Sequence, residues 1–153
     1  SSLNVIPDSC TLGGSVRTTS EAMRAHFKDA IIRMAYTTCE EFGATCEVSF
    51  RQGYSMIQND AKKTAFIRSI AHQMESTKVV AERCMLAGED FSAFSDIVPS
   101  TFVFIGATND EAGFDYPHHH PKFWIDERVL LYGLQLTINA VVQYPHYFSK
   151  EIS

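Results

Sequence analysis

The chain has no basic run, no long apolar run and only four cysteines, and each of these shortages excludes something. Lys and Arg number 13 against 18 Asp and Glu, for a formal net charge of −5 over 153 residues. Without a basic patch, a nucleic-acid surface is not expected. No apolar stretch approaches the roughly 18 residues that a membrane-spanning helix needs, so no membrane partner is expected either. No charged-then-apolar leader stands at the start, and a secretory signal is not expected. Cys10, Cys39, Cys46 and Cys84 form no Cys-x-x-Cys pair and are too few for a disulfide framework. Reduced thiols in a cytoplasmic protein are the expectation. Repeats and low-complexity tracts are absent as well. What is present is 45% hydrophobic and 20% charged residues, enough for one ordinary domain or two small ones.

The apolar pattern divides the chain in two. Residues 4–17 read as extended, with Val5, Ile6 and Leu12, and Gly13-Gly14 permits a bulge or a close backbone contact. Thr18 and Glu21 stand at capping-box spacing. Met23, Phe27, Ala30, Ile31, Met34 and Thr38 then mark one face of a helix. Gly43 falls where a left-handed C-terminal cap is required. Ala44, Cys46, Val48 and Phe50 alternate with Thr45, Glu47 and Ser49, the pattern of a half-buried strand and a candidate edge for pairing. Residues 3–51 thus read as a strand–helix–strand unit whose thin core needs neighbours. The aperiodic stretch 52–58 is a boundary.

Beyond it, Asn59 or Asp60 caps a helix carrying Phe66, Ile67, Ile70 and Met74. Residues 78–83 are a short strand candidate. Glu89-Asp90 opens a helical turn with Phe91 and Phe94, which Pro99 ends. The apolar run 101–106 suits a strand covered on both faces by helices. A loop of about 20 residues follows, from 107 to 125, and loops of that length are usually functional or disordered. Asp126 caps the last helix, which runs from Glu127 to about Tyr144, where Pro145 ends it. Val129, Leu130, Leu134, Leu136, Ile138, Val141 and Val142 surround that helix on most sides, the pattern of a helix buried in something larger.

Three places could carry chemistry. The long loop holds His118, His119 and His120 between two prolines. A neutral imidazole there can ligate a metal; a solvated polar loop is the bland alternative. A metal needs further donors, and His26, His72 and His146 pair with no other residue at ligand spacing. Gly88-Glu89-Asp90-Phe91 puts two carboxylates at a helix start, which the helix dipole favours in any case; the same turn could line a cleft. Arg17 is either a surface charge or a clamp holding a substrate carboxylate through two parallel hydrogen bonds.

Taken together these residues form a familiar pattern. Asn4-Val5-Ile6-Pro7-Asp8, running through Gly13-Gly14-Ser15-Val16-Arg17, resembles a hallmark of the aminoacylase-like metallo-amidohydrolases. That superfamily holds aminoacylases, hippurate hydrolases, indoleacetyl-amino-acid hydrolases and related zinc carboxypeptidases. Ala87-Gly88-Glu89-Asp90-Phe91-Ser92, with Val98-Pro99 and Phe104-Ile105-Gly106, is similar to a second hallmark. His119-His120-Pro121-Lys122-Phe123, with Asp126-Glu127 and Leu130, is similar to a third. The three stand in the family's order and spacing, from Asn4 to about Tyr144, and resemble the hippurate and indoleacetyl-amino-acid hydrolase branch most.

The resemblance implies an α/β fold. A catalytic α/β domain is interrupted by a small ferredoxin-like lid that closes over the site and forms a homodimer. Residues 1–52 would be the C-terminal part of the lid/dimerisation domain and residues 53–153 the C-terminal segment of the catalytic domain. It also implies cleavage of the amide bond of a small N-acyl amino acid. Two divalent ions of zinc or manganese type lower the pKa of a bridging water, and a glutamate moves its proton. On matching positions, His119 is a metal ligand, Asn4 contacts a substrate or intermediate oxygen, Arg17 reads the substrate carboxylate, and Gly88 and Glu89 line the cleft. His118 replaces a usually apolar residue, so His118 or His120 could stand in for His119 as ligand. Trp124 departs from the aspartate that many members carry. The general base, the remaining ligands and the lid histidine have no match, so no catalytic residue is assigned and the chain alone is expected to be inactive. A non-catalytic dimerisation or interaction domain is the alternative, and independent metal binding by the three histidines is a third.

Overall fold

A computed structural model describes residues 4–75, 77–80 and 84–149. Helix α1 spans Glu21–Glu41. Its cap is Ser20 rather than Thr18: the extended Ser20 backbone aims its hydroxyl at the Met23 N–H, 3.2 Å away. Gly43 stands past the helix at φ 66°, the left-handed position a glycine occupies without steric cost. The Ala44 N–H then returns to the Cys39 carbonyl at 2.8 Å. No α1 residue is fully buried. Its half-buried apolar positions are Ala30, Ile32, Ala35 and Cys39, while Met23, Phe27, Ile31 and Met34 are exposed. The face chosen by residue size is therefore not the face that packs.

Helix α2 (Ala61–Gln73) starts at Asp60, whose carboxylate accepts from the Lys63 N–H at 2.8 Å. Helix α3 (Ser92–Ser95) is a single turn, and α4 spans Arg128–Phe148. Phe66, Ile70 and Met74 pack with Phe148 as the buried apolar cluster. The Phe66 ring centre lies 5.3 Å from that of Phe148 and 4.8 Å from that of Tyr147. Lys63 lies 3.7 Å over the Phe148 ring and donates to the Tyr144 hydroxyl at 2.8 Å, so its stem and charge close one side of the cluster. Helix α4 runs through Pro145 and does not stop at Tyr144. A proline removes one helical hydrogen bond and crowds the carbonyl four residues back. Burial of Phe148, one turn further on, offsets that cost.

The expected α/β architecture is not formed. Among the described residues there is no strand, and the single β-type pairing is the isolated bridge between Asn109 and Phe114. The strand–helix–strand lid and the strands at 4–17, 44–50 and 101–106 are corrected accordingly. Alternation survives at 44–50, where Cys46 and Val48 are half-buried and Thr45, Glu47 and Ser49 exposed. A strand also needs a neighbouring backbone to pair its N–H and C=O groups, and none lies alongside among the described residues. At 101–106 a side chain takes that role. The Asn59 amide donates to the Phe102 carbonyl at 2.9 Å and accepts from the Phe102 N–H at 2.7 Å. One side chain satisfies one residue, and Val103, Phe104 and Ile105 stay exposed. Residues 78–80 form no strand; 81–83, the rest of that candidate, lie outside the described residues, as does Leu3.

The chain divides into two compact units. One is Ser1–Met56 with Cys84–Asp90, the other Ile57–Arg83 with Phe91–Ser153. In the second, Leu130, Leu131, Leu134, Ile138, Val141 and Val142 of α4 are each more than half exposed, so the described residues do not cover that apolar face. No helix among the described residues is long and apolar enough to cross a membrane.

This burial pattern sets a contrast. Ile70→Ala should lower unfolding stability by about 2–5 kcal/mol through cavity formation, because Ile70 is 0% exposed. Leu131→Ala, at a side chain 68% exposed, should stay within about 0.5 kcal/mol. Urea unfolding midpoints of the two variants measure the difference.

Candidate functional site

The long loop is tied shut at Asp126. The Asp126 N–H donates to the Ala107 carbonyl at 3.0 Å. Its carboxylate accepts from the Asn109 side-chain amide at 2.7 Å and from the Arg128 backbone N–H at 3.0 Å. The Arg128 guanidinium pairs with the same carboxylate. One half-buried acid thus joins both ends of the loop to the first residue of α4. Charge-assisted hydrogen bonding from Arg128, and then the Asn109 amide, hold the Asp126 carboxyl well below the usual carboxylate range. Asn109 also closes its own turn. Its side-chain oxygen accepts from the Ala112 N–H at 3.1 Å, and its backbone pairs with Phe114.

The three histidines differ in what surrounds them. The Pro117 carbonyl accepts from the His120 N–H at 3.1 Å, so residues 117–120 form a turn with His119 at its third place. There His119 has φ 68° and is the sole positive-φ residue other than glycine among the described residues. Third-place turn residues at positive φ are normally Gly or Asn. His120 is committed: its ring stacks on Tyr116 at 4.2 Å and 13°, and its Nδ1 accepts from the Lys122 N–H at 3.1 Å. His118 meets the Phe123 ring edge-on at 5.0 Å and lines an open groove of about 310 Å³ with Ile105, Thr108, Tyr116 and Trp124. The His119 side chain is exposed and has no hydrogen bond or ring contact among the described residues.

The other expected residues lie in the first unit. The Arg17 guanidinium donates to the Leu86 carbonyl, which brings Arg17 to the segment carrying Gly88 and Glu89. Glu89 is half-buried. A Cβ placed on Gly88 would lie 3.8 Å from the Tyr54 ring, an ordinary contact. Asn4 is exposed. His119 belongs to the second unit. No group of three or more His, Cys, Asp or Glu that could hold a metal occurs among the described residues. They therefore do not amount to a metal centre, and no hydrolytic step is assigned to them. Two features escaped the sequence reading. They are the Asn109–Asp126–Arg128 knot and the Tyr116–His120 stack, each made by residues apart in the chain. The one local signal was an acid two places before an arginine at a helix start.

A family model for peptidases of the M20/M25/M40 group matches residues 5–143. The chain belongs to peptidase family M20/M25/M40. The matched span holds Arg17, Gly88, Glu89 and His119 and begins one residue after Asn4. Thermostable carboxypeptidase 1 of Saccharolobus solfataricus is 36% identical over 131 residues, which cover 85% of this M20 chain and 33% of that protein. IAA-amino acid hydrolase ILR1-like 6 of Arabidopsis thaliana is 31% identical over 137 residues, 86% of the chain and 30% of the relative. N-acetyl-L-cysteine deacetylase of Bacillus subtilis is 30% identical over 131 residues, again 86% and 30%. The M20 chain spans about a third of the length of the curated relatives it matches. No solved structure matches it.

Two outcomes follow from this geometry. A carboxyl held below its ordinary value of about 3.9 contributes stability that is complete above that value, starts to fall as pH drops below it and is lost as pH falls through the lowered folded value. Wild type should therefore exceed Asp126→Asn in unfolding midpoint at neutral pH, with the gap closing below about pH 4. His119→Gly should not destabilise the chain, since an L-residue in the left-handed region costs about 1–2 kcal/mol and glycine does not. Thermal melts of both variants check this; a clear loss of stability in His119→Gly contradicts the turn geometry.

Proposed function

We propose that this chain is the C-terminal part of a metal-dependent amidohydrolase. The whole protein would cleave the amide bond of N-acyl amino acids of hippurate-like or indoleacetyl-amino-acid-like type. The carrying observation is the family match over residues 5–143, which spans the three motifs almost completely. The names of relatives support a hydrolytic reaction: a carboxypeptidase, a deacetylase and an amino acid hydrolase.

In this reading residues 1–52 belong to the lid/dimerisation domain and 53–153 to the catalytic domain. His119 supplies one ligand to a divalent centre of two ions, zinc or manganese in type. Its strained turn and uncommitted ring favour it over His120, whose Nδ1 is already occupied. Arg17 reads the substrate carboxylate, Gly88 and Glu89 line the cleft, and Asn4 contacts a substrate oxygen. The remaining ligands and the general base come from the part of the protein that the relatives have and this chain does not span. The exposed apolar face of α4 is covered by that part. The protein acts as a homodimer in the cytoplasm. A non-catalytic dimerisation or interaction domain is the second reading, favoured by the lack of a metal-donor cluster among the described residues.

The chain alone should show no amide hydrolysis and at most weak zinc uptake by equilibrium dialysis. In the full-length protein, His119→Ala should reduce kcat/KM by at least the roughly 10–100-fold that changes beyond the ligand shell already cost, and bound metal should fall with it. Unimpaired turnover with unchanged metal content overturns the assignment.

A further inference from the structure

We infer that Tyr54 reads the side chain of the substrate's amino acid and favours an aromatic one, and that Arg24 is the positioning residue that holds Tyr54 against the Gly88–Glu89 turn. This deepens the hydrolase reading and rests on it, since it takes Arg17, Gly88 and Glu89 as substrate contacts.

All of these groups belong to the first unit, where two arginines draw distant segments together. The Arg17 guanidinium donates to the Leu86 carbonyl at 2.5 Å. Arg24, in the first turn of α1, donates to the Tyr54 carbonyl at 2.7 Å, 30 residues further along the chain. The Glu21 carboxylate, 2.9 Å away, fixes the same nitrogen of Arg24. The other terminal nitrogen of Arg24 is buried and has no hydrogen-bond partner among the described residues, so the head group is enclosed at this junction. A planar, forked donor enclosed in this way fixes the backbone it holds. Tyr54 thus has a set place, and its ring lies beside Gly88: a Cβ added there would be 3.8 Å from it.

The backbone does not require glycine at 88. Among the described residues only Gly43 and Gly113 are glycines at positive φ, and a Cβ on Gly88 would make an ordinary contact. What this glycine leaves is open room beside the Tyr54 ring. Tyr54 itself stays 58% exposed. A tyrosine placed in this way offers a flat face and a positive edge to a second ring. The carboxylate and the side chain of an amino acid are attached to one carbon. Arg17 reaches Leu86, two residues from Gly88, and Gly88 adjoins Tyr54. When Arg17 holds the carboxylate, the neighbouring side chain therefore meets Tyr54. Glu89, half-buried on the same turn, opposes an acidic side chain by like charge.

The test compares hydrolysis of N-benzoyl-L-phenylalanine and N-benzoylglycine by the full-length protein. Wild type should favour the phenylalanine compound. Tyr54→Ala should lower the phenylalanine-to-glycine ratio of kcat/KM by about tenfold, the scale on which apolar contacts discriminate, and Tyr54→Phe should keep it. Arg24→Gln should shift the ratio in the same direction, through KM rather than kcat, and Arg24→Lys should restore part of it. A merely structural role lowers both substrates together and leaves the ratio alone; that result overturns the inference. As a check that needs no variant, free L-phenylalanine should inhibit the wild type at a lower concentration than free glycine, and equal inhibition overturns it as well. An unchanged ratio in Tyr54→Ala, with the glycine compound still cleaved, removes the role of Tyr54 and leaves the hydrolase reading standing. A wild type that cleaves neither compound removes both.

Discussion

The packing of Phe66 and Ile70 on Phe148 is the contact on which the rest of the second unit depends. Phe148 reaches that contact because α4 continues past Pro145, and the cost of a proline in a helix is set against burial of a whole aromatic ring. Once α2 and α4 are joined, the start of α4 has a fixed place. Asp126, two residues ahead of it, can then gather Ala107, Asn109 and Arg128. The histidine loop hangs from that carboxylate.

Three adjacent histidines are alike in sequence and unlike in their surroundings. Tyr116 and the Lys122 N–H take up His120, Phe123 takes up His118, and His119 alone is turned into the left-handed region with its ring uncommitted. A strained residue without local contacts points to a role outside the loop. Among the described residues there is no metal-donor cluster, and the apolar face of α4 is exposed. The chain spans about a third of the length of the curated relatives it matches.

What was legible in the sequence was local. The Asp60 cap, the Gly43 terminus and the Phe66, Ile70 and Met74 stripe follow from rules acting within four residues, and the structure keeps all of them. The motif residues could be named for the same reason. The strands could not be secured. Alternation at 44–50 and the apolar run at 101–106 state what a strand requires of side chains, whereas the ladder requires a second backbone. At 101–106 only the Asn59 amide answers that need among the described residues, for one residue. The capping box failed by two residues because Ser20 is as good a cap as Thr18.

By itself the sequence determined the four α-helices, the Asp60 cap, the Gly43 terminus and the family to which the chain belongs, because helical period, capping and motif spacing are written within a few turns of chain. Only the tertiary structure decided which face of α1 packs, how far α4 runs, that Asp126 closes the long loop and which histidine stays uncommitted. Each of these depends on groups distant along the chain or on the conformation of a turn. Their energies come from burial and hydrogen bonding in three dimensions, which no local pattern records.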